Sequence, residues 1–363
     1  RELGSMADKV ARVTAAAEAV AAAVGLSEEG RAALQGALPL FRADLATQMV
    51  YEFPELEGVM ARAYALAEGL PEAVADVLQG GVMPKGPDDP LPGSEAGAVL
   101  SVADRLDKLV GFFAIGKRPS GSADPFGLRR DAHAVVRVLA ATGWRAAVET
   151  LVEAAAGAYR GGPVTVDVGT LEAVSGFVWD RVAATLEEKG HGTPVVRAAV
   201  EGSFTVLGAI RRARLLEHLM GRPEFADLMA LYKRAANLAE RYEPSDPDAD
   251  PKDAVDPGMF VTDEEGPLYA ALEEGAAGAA ELLAAAAAAV PPHDPAHAAA
   301  DAAFGADVEA PLARLLSLKA PLDAYLDNVL VMAEDERVRG NRLALLAAVV
   351  QPLQRLGALE HLA

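Results

Sequence analysis

The sequence of 363 residues contains no cysteine, which excludes disulfides, thiolate metal sites and cysteine nucleophiles. Histidine is scarce: six imidazoles stand at 133, 191, 218, 293, 297 and 361. None forms the His-x-x-x-His or His-Glu-x-x-His spacing that sets two imidazoles on one helical face. His293 and His297 are four apart, but Pro295 interrupts any helix that would align them. Aromatic residues are only 5% of a chain that is 52% apolar. No apolar run reaches the ~20 residues a membrane-spanning helix needs. The opening Arg1-Glu2-Leu3-Gly4-Ser5-Met6 has no apolar signal core, so the chain is read as cytoplasmic.

What is present is alanine, with apolar residues recurring at three and four. Alanine is the best helix former, whereas strands favour β-branched and aromatic residues. The expected class is all-α. Residues 7–25 place Val10, Val13, Ala17, Val20 and Val24 on one stripe, closed by Gly25. Ser27 opens a second helix, and 37–53 reads as a third. Gly80–Gly93 and the stretch from Gly116 to Phe126 are loops. Asp124-Pro125 reads as the N-terminus of the helix after the second loop, with Pro125 at the first helical position. Gly161-Gly162-Pro163 ends a first domain, 1–157; a helical linker over 158–204 leads to a second domain, 205–363. The second domain contains an acidic, Pro-rich stretch over 244–267, read as a solvated linker or extended loop.

Net charge is −20, which opposes nonspecific binding to phosphate backbones. Any nucleic-acid contact therefore has to rest on local cationic patches. The loop at 116–130 is the first, with Lys117, Arg118, Arg129 and Arg130. Arg129 and Arg130 fall in the first turns of a helix, where the dipole prefers acids. RNA phosphate, or an internal partner such as Asp44 or Asp104, would account for them. Arg211, Arg212 and Arg214 cluster on a later helix, followed by Tyr232, Lys233 and Arg234, with Arg342 near the end. Tyr232 and Tyr242 could stack on unpaired bases. The alternative for all of these cations is a solvated or ion-paired helix face.

Two long segments resemble a known family. Asp44-Leu45-Ala46-Thr47-Gln48-Met49-Val50-Tyr51-Glu52-Phe53-Pro54-Glu55-Leu56-Glu57-Gly58 is the first, and Ala103-Asp104-Arg105-Leu106-Asp107-Lys108-Leu109-Val110-Gly111, running on to Arg130, is the second. Both are similar to segments of the β subunits of bacterial heterotetrameric glycyl-tRNA synthetases. Weaker resemblances cover Leu3–Lys9, Asp327–Met332 and Arg339–Leu343. The resemblance implies the C-terminal half of such a subunit: a helical domain related to HD phosphohydrolases, then a helical anticodon-binding domain. It further implies that tRNA(Gly) is the partner. Glycine, ATP and Mg²⁺ belong to the α subunit, which the β subunit meets through regions outside this chain. No cofactor and no catalytic residue are expected here.

The HD relationship raises a rival reading, a metal-dependent phosphohydrolase. That chemistry needs imidazoles beside its aspartates, and no histidine precedes His133. Asp44 and Asp104 are then relics of a metal site, with Gln48 and Glu52 on the same helical stripe as Asp44 lining a degenerate cleft. No metal is expected. A bare helical interaction scaffold, which would bind no tRNA, is the third reading.

Overall fold

The computed structural model describes residues 2–121, 123–244, 246, 249–290 and 307–362. Among these residues there is no β-strand, only one isolated bridge between Ser120 and Ala123 in a loop, so the all-α expectation holds. The pair His293 and His297 lies outside the described residues. No described helix is long and apolar enough to cross a membrane.

The chain divides into two compact units, residues 1–185 with 204–207, and residues 186–203 with 208–363. In the first unit the helices are α1 (Met6–Val24), α2 (Glu28–Ala37), α3 (Gln48–Glu52), α4 (Val59–Ala67), α5 (Glu72–Gly80), α6 (Glu95–Ala114), α7 (Leu128–Thr142) and α8 (Val148–Gly157). Helix α9 (Val168–Glu188) runs across residue 185, and α10 (Thr193–Val200) belongs to the second unit. The segment 158–204, read from sequence as a linker, is therefore divided between the two units. The remaining helices are α11 (Val206–Met220), α12 (Phe225–Ala239), α13 (Glu265–Ala289), α14 (Glu309–Leu316), α15 (Lys319–Asn328) and α16 (Glu336–Gln354).

Helix termini follow the sequence signals. Ser5 and Asp8 form a reciprocal capping box on α1, and left-handed Gly25 closes it. Ser27 and Ser94 cap α2 and α6 through their hydroxyls.

Two local expectations fail for identifiable reasons. The helix expected over 37–53 is broken into 3-10 turns at Leu38–Leu40 and Ala43–Ala46, then the short α3. Arg42 breaks it by adopting φ +69°, an unusual backbone for a side chain with a Cβ. Asp44 thus lies outside the helix that carries Gln48 and Glu52, and the single polar stripe does not form. Helix α7 begins at Leu128 rather than Pro125, because Gly127 turns left-handed at its start. Asp124 still caps it, its carboxylate accepting from the Leu128 and Arg129 amides at 2.8 and 2.9 Å.

Helix α6 is the centre of the first unit, packed against α1, α5, α7 and α8. It is buried nearly throughout, including the charged residues Asp104, Arg105 and Asp107. Buried charge is costly unless paired or hydrogen-bonded. Arg105 meets that condition by donating to the Ser101 carbonyl and hydroxyl at 3.0 and 2.8 Å. It also donates to the carbonyls of Val82 and Pro84 at 3.1 and 2.6 Å. One guanidinium thereby ties the Gly/Pro loop after α5 to α6.

In the second unit α13 and α14 pack so closely that a Cβ on Gly278 would come within 2.5 Å of the Leu315 amide nitrogen. Within the acidic stretch, the described residues 250–265 are held against α16 rather than left as a free linker. Asn341 accepts from the Asp256 amide at 2.7 Å and donates to its carbonyl at 3.1 Å. Glu265, fully buried, pairs with Arg342 at 2.9 Å and accepts from the Val261 and Thr262 amides.

Arg105→Leu should destabilise the first unit by about 3 kcal/mol or more, because several buried acceptors lose their donor at ~1–3 kcal/mol each. Urea unfolding of the chain followed by circular dichroism measures it; a change under about 1 kcal/mol would refute the pinning role.

Candidate functional site

The sequence singled out an aspartate cleft in the first unit. Asp44 and Asp104 are both buried. Asp44 accepts from the Gly58 amide at 2.7 Å. Gly58 has φ +81°, and a Cβ there would strike the Val82 side chain. Asp104 is clamped between two cations: Lys9 Nζ lies 2.8 Å from Oδ1, and Arg42 donates to Oδ2 at 2.6 Å. Arg42 also pairs with Glu57. Asp107 takes Arg12 Nε at 2.8 Å and Lys9 at 3.5 Å, while Tyr159 donates its hydroxyl to the Asp107 carbonyl. Burial alone would raise the Asp104 pKa, but Lys9 and Arg42 outweigh it and hold the carboxyl below the usual carboxylate range.

This arrangement sets the chemistry. A metal at Asp104 would have to displace a lysine and an arginine that already neutralise the carboxylate. Asp44 and Asp104 serve different structural partners and do not act as one ligand pair. Gln48 and Glu52 bond to each other at 2.8 Å, with Glu52 exposed. Neither Arg129 nor Arg130 is the partner of Asp104; those partners are Lys9 and Arg42, from sequence-distant segments.

The cations of the 116–130 loop divide into two kinds. Arg129 donates to the carbonyls of Gly121 and Ala123 at 2.6 and 3.5 Å, and so stitches the loop to α7. Lys117, Arg118 and Arg130 are exposed and make no ion pair within 4 Å of a described residue, and, after the Thr170 hydrogen bonds, the Arg118 charge helps lower the Asp167 pKa. Arg118 stands over the Phe113 ring at 5.3 Å.

In the second unit most candidates are engaged internally. Arg211 donates to the carbonyls of Val290 and Ala287 at the end of α13. Arg212 reaches the carbonyls of Arg355 and Gly202 and the Ser203 hydroxyl. Burial depresses the pKa of both guanidiniums. Arg342 is the buried partner of Glu265 and also donates to the Leu330 carbonyl at 2.8 Å. Tyr232 is only 7% exposed and donates its hydroxyl to Glu360 at 2.8 Å, so its ring is not a free stacking platform. Arg234 bridges Asp323 and Asp327 at 2.5 and 2.6 Å. Lys233 is exposed.

Sequence reasoning missed one feature of the 44–60 segment. It exposes Leu45, Met49, Tyr51, Phe53 and Val59, with Tyr51 83% accessible. The segment is nevertheless firmly held, since Lys85 donates to the carbonyls of Glu55 and Glu57 at 2.8 and 2.7 Å. The density of large apolar residues beside a proline was the available signal.

Comparison with known proteins places the sequence in a class, the subunits of aminoacyl-tRNA synthetases. Residues 1–201 match the family described as glycyl-tRNA synthetase beta subunit, and the chain belongs to that family. It is 35% identical to the glycine–tRNA ligase beta subunit of Methylobacillus flagellatus over 365 aligned residues, covering 100% of this chain and 47% of the relative. Similar proteins from Desulforudis audaxviator and Myxococcus xanthus are 36% and 33% identical, each over 96% of this chain and 46% and 47% of the relative. The chain spans about half the length of the curated relatives it matches.

The depressed Asp104 pKa fixes the sign of a pH effect. Its contribution to stability is present above the unfolded carboxylate pKa, about 4, and is lost as pH falls through the lower folded value. Asp104→Asn should therefore lower stability at pH 7 by roughly 3–5 kcal/mol, as for any broken buried pair, and flatten the loss of stability below about pH 4. Denaturant midpoints between pH 7 and pH 3 measure it; parallel curves for both proteins would contradict the ion-pair assignment.

Proposed function

We propose that this chain is the tRNA(Gly)-holding portion of the β subunit of a cytoplasmic α2β2 glycine–tRNA ligase. It positions tRNA for glycylation, while the α subunit binds glycine, ATP and Mg²⁺ and meets the β subunit through regions outside this chain. Family membership supports the enzyme. The observation that carries the tRNA contact is the loop at 116–130: in a chain of net charge −20, Lys117, Arg118 and Arg130 stay exposed without an ion-pair partner among the described residues. By contrast, Lys9, Arg12, Arg42 and Arg105 are all held by internal carboxylates or carbonyls. Exposed cations left unpaired in an acidic protein suit phosphate contacts, which set position without reading sequence. The second unit would then read the anticodon. The rival phosphohydrolase loses support from the Lys9 and Arg42 clamp on Asp104.

Alanine at Lys117, Arg118 or Arg130 should weaken binding of all tRNAs alike and reduce the salt slope by about one per lost phosphate contact. Arg129→Ala should instead loosen the loop, with a smaller effect on the slope. Filter binding across a salt series separates them, and unchanged slopes in the three exposed-site variants would reject the interface. The chain alone should give no glycine-dependent ATP–pyrophosphate exchange. Turnover that persists through repurification would overturn the assignment of chemistry to the α subunit.

A further inference from the structure

The first unit contains an open cavity of about 370 Å³ bounded by the turn Ala43–Ala46, α4 and α5. Its floor is apolar, made by Leu40, Ala61, Ala65 and Leu78. Its polar groups are the Asp44 and Glu68 carboxylates, the Tyr64 hydroxyl and Thr47. No lysine, arginine or histidine lines it. The cations on the adjoining turn and helix are committed elsewhere, Arg42 to Asp104 and Glu57, and Arg62 to Glu72 and Asp76.

The two carboxylates differ in depth. Asp44 is 4% exposed and uses Oδ2 for the Gly58 amide, whereas Oδ1 accepts no hydrogen bond from a described residue. A buried acceptor without a donor is costly, so Oδ1 calls for a donor arriving through the cavity. Glu68 is exposed, and neither its carboxylate nor the Tyr64 hydroxyl bonds to a described residue. Glu68 also stands at the C-terminal end of α4, where the helix dipole favours a cation, yet the last turn of α4 holds no basic residue.

We propose that this cavity binds a linear aliphatic diamine or polyamine. One ammonium donates to Asp44 Oδ1, the methylenes lie on Leu40, Ala65 and Leu78, and a second ammonium stays at the mouth with Glu68 and the Tyr64 ring. An ammonium carries three donors and no acceptor, which suits two carboxylates and a hydroxyl. Its bond to a buried carboxylate is charge-assisted and therefore of the strong kind. The Tyr64 face adds a cation–π contact. The alkyl stem covers apolar surface while its charged ends stay on polar groups, as long cationic side chains do. A divalent metal would keep its waters and leave the apolar floor unused. Among the described residues no three metal-ligating side chains gather there. A lysine from a protein partner brings a single ammonium and leaves one carboxylate without a cation. Glycine would set its own carboxylate against both. The site does not depend on the reading of the chain as a tRNA-holding unit.

The test uses the whole chain, free of RNA, with ¹³C-methyl alanine, because Ala43, Ala61 and Ala65 line the cavity. Titration with 1,4-diaminobutane should shift these methyl signals to saturation. Its neutral counterpart, 1,4-butanediol, should bind about tenfold or more weakly, as the loss of a bond to a charged group requires. The single-headed 1-aminobutane should fall between the two. Glu68→Gln, at an exposed position, should weaken the diamine by about two- to fivefold and remove its advantage over 1-aminobutane. Asp44→Asn keeps an oxygen for the Gly58 amide but drops the charge, and should weaken both amines by about tenfold. Ala43→Phe, entering from the exposed rim, should abolish binding. Urea midpoints verify that each variant folds. Should Asp44→Asn not fold, Glu68→Gln and the ligand series on the unaltered chain decide the matter. Equal binding of diol and diamine, tighter binding of N-acetyl-lysine methylamide than of the diamine, or binding of glycine in its place would overturn the proposal. So would displacement of the diamine by an equal concentration of Mg²⁺, or shifts confined to alanines outside the cavity.

Discussion

The first unit depends on a charged ladder inside an apolar helix. Around the buried turns of α6, Asp104 meets Lys9 and Arg42, Asp107 meets Arg12, and Arg105, directed away from Asp107, reaches backbone carbonyls of the loop after α5. None of these contacts is local in sequence, so each fixes the register of a distant segment against α6. Apolar packing alone would tolerate sliding among alanine-rich surfaces, which offer little shape to lock one helix to another. Directional charge-assisted bonds supply that specificity. Among the described residues the second unit uses the same device in Glu265 and Arg342, where a buried pair sets the acidic 250–265 stretch on α16.

The ladder also sets the surroundings of the aspartates in this cleft. Asp104 keeps its charge because two cations surround it, and those cations occupy the place a metal would need. Arg42 reaches both Asp104 and Glu57 only from a left-handed backbone, the residue at which the expected helix breaks. The strain of that conformation, of order 1–3 kcal/mol, is offset by two ion pairs. The turn that dismantles the polar stripe of Asp44, Gln48 and Glu52 is therefore the same turn that closes the cleft.

Helix content was legible because alanine and the spacing of valines and leucines speak locally. The cap at Ser27 and the left-handed close at Gly25 were legible for the same reason, whereas the caps at Ser5 and Ser94 were not read. Long-range partners were not. Nothing in a window around Arg211, Arg212 or Arg342 distinguishes a guanidinium facing RNA from one capping a helix end some 75 residues or more away. Sequence counted these residues as available charge, whereas packing converts them into scaffold. The loop at 116–130 was read correctly as a loop, but Arg129 and Arg130 could be separated only by seeing which one meets carbonyls.

Internal bonding of so many arginines changes how much positive charge this protein presents. An acidic chain has few cations to present, and internal bonding removes most of those that look promising in sequence. The surface cations that remain outside such bonds include Lys117, Arg118, Arg130 and Lys233. Net charge of −20 acts as a filter: a polyanion that gains too few local contacts is repelled by the field of the whole surface.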